Sequence, residues 1–299
     1  MTGNTLTSMD LVRLAQQLDR DRELGWQELQ SRDYAIGVSC RHKSDKQRLS
    51  YWLDSVADPA DDADVHLPMS ERSLGVLVAS IFLVIGFATM AGFLFSHTHG
   101  LVNVLWFFAF FVALQFALCL VSGITLIAVL TGNSSASFTF NPARLVYSKS
   151  MPAKRYWREF KSVFQLVFMR YGQDMGIGFI LGALGAFLLI LTVNDFSFTW
   201  SSTFNLSNEA VLRFTDIVSS PWRQWLPLAA VDAETVANSR YHPTGGKFSP
   251  EQLSSMHSWW PFLFTSMVFY VLLPRLILWF MSRWLYSSRL SRAFVLSLI

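Results

Sequence analysis

Hydrophobic residues in this chain come in long unbroken blocks, with the charged residues kept between them. From Ser73 to Ala143 there is no Asp, Glu, Lys or Arg in 71 consecutive residues. A second charge-free block of 20 residues runs from Met175 to Asn194. A third runs from Gln252 to Pro274, its apolar part beginning at Trp259. A charge at the centre of a bilayer costs a few kcal/mol, so membrane burial selects such gaps. A spanning helix needs about 20 apolar residues. The first block holds two, from about Leu74 to Phe95 and from about Val104 to Leu130, separated by the polar, turn-prone Ser96-His97-Thr98-His99-Gly100. The second block supplies a third, and the run from about Trp259 to Phe280 a fourth, with Pro274 and Arg275 in its last turns.

The pattern therefore predicts an all-α membrane protein: four transmembrane helices with a small cytoplasmic N-terminal region and a helical outer (periplasmic) segment. The expected divisions are 1–72, N-terminal region; 73–130, transmembrane helices 1 and 2; 131–174, a cytoplasmic connection; 175–194, transmembrane helix 3; 195–258, the outer segment; 259–281, transmembrane helix 4; and 282–299, a cytoplasmic tail.

Composition agrees with the pattern and narrows the function classes. Of 299 residues, 52% are hydrophobic and only 15% charged, with 26 Phe and 11 Trp. Mean hydropathy is +0.33. A disordered or collagen-like chain is excluded, and a net charge of +3 is far too small for an ordinary nucleic-acid binder. Lys and Arg gather on the cytoplasmic side of membrane proteins. Nine precede the first span, none lies in Ser96–Asn103, seven lie in 131–172, and four are spread over Asp195–Ser258. Arg283, Arg289 and Arg292 follow the last span. This alternation puts both termini in the cytoplasm. The first 70 residues lack the apolar core of a secretory signal, so the first span is expected to act as the insertion signal. Cys40 and Cys119 are expected as unpaired thiols.

Between the spans the patterns are helical. Thr7-Ser8 can cap a helix on which Leu11, Leu14 and Leu18 recur. The N-terminal region is too poor in large apolar residues to bury much of a core alone, so it is expected to pack on the membrane portion, a neighbouring subunit or a partner. In the connection, Trp157, Phe160, Phe164, Val167, Phe168 and Tyr171 share one side of a helix, and Lys154, Arg158, Lys161 and Gln165 another. Such an amphipathic, cationic helix suits an anionic lipid interface or the docking of a partner. In the outer segment, Ser207-Asn208-Glu209 can start a helix that stops at Pro221, and Asp232 can cap a second. Trp200, Trp222, Trp225, Trp259 and Trp260 suit an outer aromatic belt.

Signals for chemistry are few. Phosphate-binding, dinucleotide-binding, metalloprotease and nucleophile-elbow motifs are all absent, so no enzyme and no cofactor are expected. His97 and His99, with His242 and His257, are the outer histidines; they read as polar loop residues, and no metal is expected. Gly178 and Gly182 form a GxxxG pair, with Gly185 beyond, a spacing that lets helices pack closely. No acidic residue lies within a span, which weighs against a proton-coupled transporter. Arg275 either snorkels to the cytoplasmic interface or contacts an anion.

Several patches taken in order carry a resemblance: Arg32-Asp33-Tyr34-Ala35-Ile36-Gly37, Phe198-Thr199-Trp200-Ser201-Ser202-Thr203, Ser220-Pro221-Trp222-Arg223-Gln224-Trp225-Leu226-Pro227, Asn238-Ser239-Arg240-Tyr241, and Trp259-Trp260-Pro261-Phe262 with Leu273-Pro274-Arg275. Together they resemble a bacterial family of multi-span inner-membrane proteins of unknown function, often encoded beside a cytosolic GTPase. The resemblance implies a membrane partner for a GTPase and supplies no catalytic residues. Two functions are therefore carried forward. The first is a non-enzymatic inner-membrane protein that anchors or recruits a cytosolic partner. The second is a channel or transporter, with anions as its cargo, formed by the bundle or by an oligomer. Membrane lipids, a cytosolic GTPase and a second copy of the chain are the expected partners; nucleic acid is not.

Overall fold

A computed structural model describes residues 7–56, 71–96, 100–131, 161–204, 206–241 and 248–297. Helix dominates. The N-terminal helices are α1 (Ser8–Asp21), α2 (Trp26–Ser39) and α3 (Asp45–Val56). The first long apolar helix is α4 (Glu71–Phe95). After it, β1 (Leu101–Asn103) leads into α5 (Val104–Phe108), a π turn over Ala109–Ala113, and α6 (Leu114–Leu130). Next comes α7, unbroken from Lys161 to Val193. The outer segment contains β2 (Ser197–Thr199), α8 (Asn208–Ser219), α9 (Ala233–Asn238) and α10 (Pro250–His257). Finally α11 (Trp260–Met267), a second π turn over Val268–Leu272 and α12 (Leu273–Ser297) form one run. Among the described residues, four helical stretches are long and apolar enough to cross a membrane: Arg72–Phe95, Val104–Ala128, Gln165–Val193 and Pro250–Leu290.

Two compact units can be told apart. The first gathers the described residues up to Gly75, from Thr125 to Gly172 and from Phe280 onward. Within it, Thr7 caps α1 in a reciprocal pair with Asp10, as the sequence predicts. Leu11, Val12 and Leu14 are buried, and the Ser8 amide donates to the Tyr286 hydroxyl at 3.1 Å. α1 thus rests on the C-terminal part of α12. The Arg170 guanidinium lies over the Tyr171 and Tyr286 rings.

The second unit covers Val76–Ile124 and Gln173–Trp279. Its core is aromatic: Phe107, Phe111, Phe187 and Phe198 are buried and meet at ring-centroid distances of 5.2–6.4 Å, and the buried Phe262 meets Phe108 at 6.5 Å. An all-α expectation overlooks one feature here. β1 and β2 pair in parallel, Val102 opposite Phe198, to make a small two-stranded sheet. Gly100 makes the turn into β1 with φ +68°, and a Cβ there would also press on the Asp195 carbonyl oxygen. Asn103 then caps α5, its Oδ1 accepting from the Leu105 and Trp106 amides.

The outer tryptophans divide into two groups, which corrects the expected aromatic belt. Trp200, Trp222 and Trp259 are fully buried, and their indole N–H groups donate to the Val236 carbonyl, the Ala229 carbonyl and the Ser239 hydroxyl at 2.7, 3.0 and 2.9 Å. Burial of an indole demands such a partner. Only Trp225 and Trp260 are exposed enough to serve an interface. The two predicted caps form: Ser207 accepts from the Ala210 amide and Asp232 from the Thr235 amide.

Candidate functional site: a polar junction inside the apolar helices

Glycine sets how closely the long helices approach. A Cβ at Gly178 would collide with the Ala79 carbonyl, one at Gly182 with the Leu83 carbonyl, and one at Gly86 with the Phe179 carbonyl. The GxxxG pair of α7 is therefore used against α4 of the same chain, with Gly86 as a reciprocal contact on α4. Gly185 differs: among the described residues nothing lies within 4 Å of where its Cβ would be, so it takes no part in the close packing of α7 on α4.

A fourth glycine makes room for a charge. A Cβ at Gly176 would fall inside the guanidinium of Arg275. Arg275 is only 5% exposed, and one terminal nitrogen donates to Gln115 Oε1 at 2.8 Å. The side chain therefore does not snorkel. Gly123 of α6 lies beside Leu278 of α12, which levels the Arg275 backbone with the turn around Cys119. Gln115 lies one turn nearer the start of α6. The guanidinium thus leans toward the N-terminal end of its own helix, as helical side chains do. Cys119 is buried and close enough to interact electrostatically with Arg275. A turn further along α12, Trp279 Nε1 donates to Asp174 Oδ1 at 2.7 Å. Sequence reading names Gln115 among the few polar residues within spans and Gly176 among the glycines of the third, but gives a role to Arg275 alone. Its partners come from α6 and α7, and no spacing in the sequence announces them.

The π turns explain how these groups face inward. Each inserts an extra residue and rotates the helix that follows by about 100°. Gln115 follows the Ala109–Ala113 turn by two residues, and Arg275 follows the Val268–Leu272 turn by three. Pro274 contributes to the second, because it has no N–H to complete an ordinary ladder. The first π turn has no proline.

A separate cavity of about 320 Å³ is lined by Leu188, Leu191, Asn194, Asp195, His257 and Trp260 among others. His257 Nε2 lies 3.0 Å from Asp195 Oδ1 and 3.4 Å from Ser197 Oγ. Acid and hydroxyl share the same ring nitrogen, whereas a Ser–His–Asp relay needs the acid on Nδ1. The trio therefore cannot activate the serine as a nucleophile. The remaining outer histidines, His97, His99 and His242, lie outside the described residues. So do Lys154, Trp157 and Arg158 of the predicted basic helix, while Lys161 is the first residue of α7. The described part of that helix, from Lys161, is continuous with the third apolar stretch, and Val167, Phe168 and Tyr171 are buried.

These elements define a predominantly helical protein with four membrane-length helices and a buried polar junction among them. The chain belongs to the family described as "Protein of unknown function (DUF2868)", whose profile matches residues 141–297, just over half of its length. Arg275, Gly176, Gly178 and Gly182 lie within that match; Gln115 and the N-terminal helices precede it. No curated protein and no solved structure matches the chain.

Proposed function

We propose that this protein is a non-enzymatic, multi-pass component of the bacterial inner (plasma) membrane, with both termini in the cytoplasm, that anchors or recruits a cytosolic partner. The observation that supports this reading is the surface of α2. None of its residues is buried, and Trp26, Tyr34 and Val38 are 76%, 75% and 55% exposed. At 100° per residue these three fall on one stripe with Gln30 and Gly37. The helix is nonetheless held firmly. Arg32 forms paired bonds of 2.8 Å to both Asp21 oxygens, and Asp33 accepts from Trp52 Nε1 at 2.8 Å. A fixed helix displaying two uncovered aromatic rings suits a protein-binding face, where Trp and Tyr carry much of the energy. The family resemblance carried by all the patches in order, of which Arg32–Gly37 is one, points to a GTPase as the partner. The test is affinity purification from detergent extracts, with GTP and with GDP. The wild type should retain a GTPase in one nucleotide state, and a Trp26→Ala, Tyr34→Ala double variant should lose it. Retention by the double variant would remove α2 from the interface.

A second reading, an anion channel or transporter, draws on the Arg275–Gln115 junction, a buried cation of the kind found along intramembrane ion pathways. Chloride flux into proteoliposomes separates it from the first.

A further inference from the structure

A guanidinium keeps its proton in any protein environment, so Arg275 brings a full positive charge into the apolar helices. Removing that charge from water carries a large desolvation penalty unless it is neutralised and its hydrogens are used. Gln115 uses one of them. Among the described residues no carboxylate lies within ion-pair distance of the guanidinium, and its Nε is buried without a hydrogen-bond partner. The other polar atoms at the junction are also donors. Gln115 commits its Oε1 to Arg275, which leaves the amide NH2, and Cys119 adds a weakly donating thiol. A full positive charge set beside further donors, with no carboxylate in ion-pair reach among the described residues, is complementary to an anion. Both residues of the pair are delivered by π turns, which recur at functional sites in helices.

We infer that the Arg275–Gln115 junction binds a small inorganic anion of the halide type. Size and depth favour a halide over a lipid phosphate. The guanidinium is almost fully enclosed and leans away from the Trp279–Trp284 end of α12, where headgroups would be reached. The ion would sit against Arg275 Nε and the Gln115 amide, with the backbone of α7 kept close by Gly176.

The experiment uses the full chain in nanodiscs of neutral phosphatidylcholine, with chloride exchanged for gluconate at constant ionic strength. Wild-type protein should show a saturable rise in Tm of a few degrees with chloride, and should retain radiolabelled chloride in equilibrium dialysis. Gln115→Glu places a carboxylate against the guanidinium in the position the anion would neutralise. It should fold, melt in gluconate at or above the wild-type temperature, and lose both the chloride dependence and the retained label. Arg275→Gln should lose retention as well. The inference is overturned if wild-type protein melts identically in both salts and retains no label, or if Gln115→Glu binds chloride like wild type. It is also overturned if phosphatidylglycerol nanodiscs reproduce the full stabilisation in gluconate, since a lipid phosphate would then be the occupant.

Discussion

Asp21 shows how one residue of a mixed-charge run acquires a structural role. In sequence, Arg20-Asp21-Arg22-Glu23 reads as a solvated face. In the structure the Arg32 guanidinium grips both oxygens of Asp21, and Gln17 adds a third bond at 2.8 Å. The hydrogen bonds from Arg32 hold the Asp21 carboxyl below the usual carboxylate range, and Asp21 in turn raises Arg32. A carboxyl depressed by folding contributes stability above its unfolded pKa of about 3.9, and the contribution is lost as pH falls through the lower folded value. For a partly exposed pair it is on the order of 1 kcal/mol. Protection of the α1 and α2 amides in the full protein, taken as exchange relative to the intrinsic rate at each pH, should therefore be high near neutral pH and fall below pH about 4. Asp21→Asn should be less protected at neutral pH and lose little further protection on acidification. Identical profiles for the two proteins would show that α2 is held by other contacts.

Helix packing makes its own prediction at the scale of the element. Between α4 and α7 the carbonyls of Ala79, Leu83 and Phe179 occupy the space that side chains at Gly178, Gly182 and Gly86 would need. Because the obstacle is backbone, the neighbour cannot turn aside, and the helices must separate. Overpacking of a closed interface costs about 1–3 kcal/mol per site. Gly178→Leu with Gly182→Leu should lower Tm in detergent by several degrees, whereas Gly185→Leu, facing open space, should leave it nearly unchanged. A Gly185 variant as damaging as the double variant would contradict the packing. GxxxG was legible in the sequence because it is a spacing along one helix. The partner helix and the exclusion of Gly185 were not, since both depend on the direction from which α4 approaches.

For the whole molecule, the prediction concerns orientation. Lys and Arg are concentrated before the first span, between the second and third, and after the fourth. Reporter fusions after Gly100 and near Tyr241 should therefore be found outside, and fusions near Ser150 and at the C-terminus inside. A cytoplasmic reporter at Tyr241 would overturn the four-span arrangement. The same scale decides the fate of the outer segment. The sequence suggests an interfacial place for Trp200, Trp222 and Trp259. They are buried instead, and Ser239 links two of them: its carbonyl accepts from the Trp200 amide at 3.1 Å, and its hydroxyl accepts from Trp259 and donates to the Thr235 carbonyl at 2.6 Å.

What the sequence determined by itself was everything that depends on distance along one chain. The charge-free blocks gave four membrane-length helices because an uncompensated charge in hydrocarbon is costly whatever the fold around it. Thr7, Ser207 and Asp232 marked helix starts because a cap bonds amides only two or three residues away. Tertiary structure alone decided what depends on approach from elsewhere: the pairing of β1 with β2, the burial of three tryptophans, the fit of Gly178 to Ala79, and the turning of Arg275 inward toward Gln115 and Gly176. Sequence placed that arginine within the reach of an interface, and nothing local could choose between snorkelling and burial. The choice fell to two π turns and a missing side chain on another helix, more than 90 residues away in the chain.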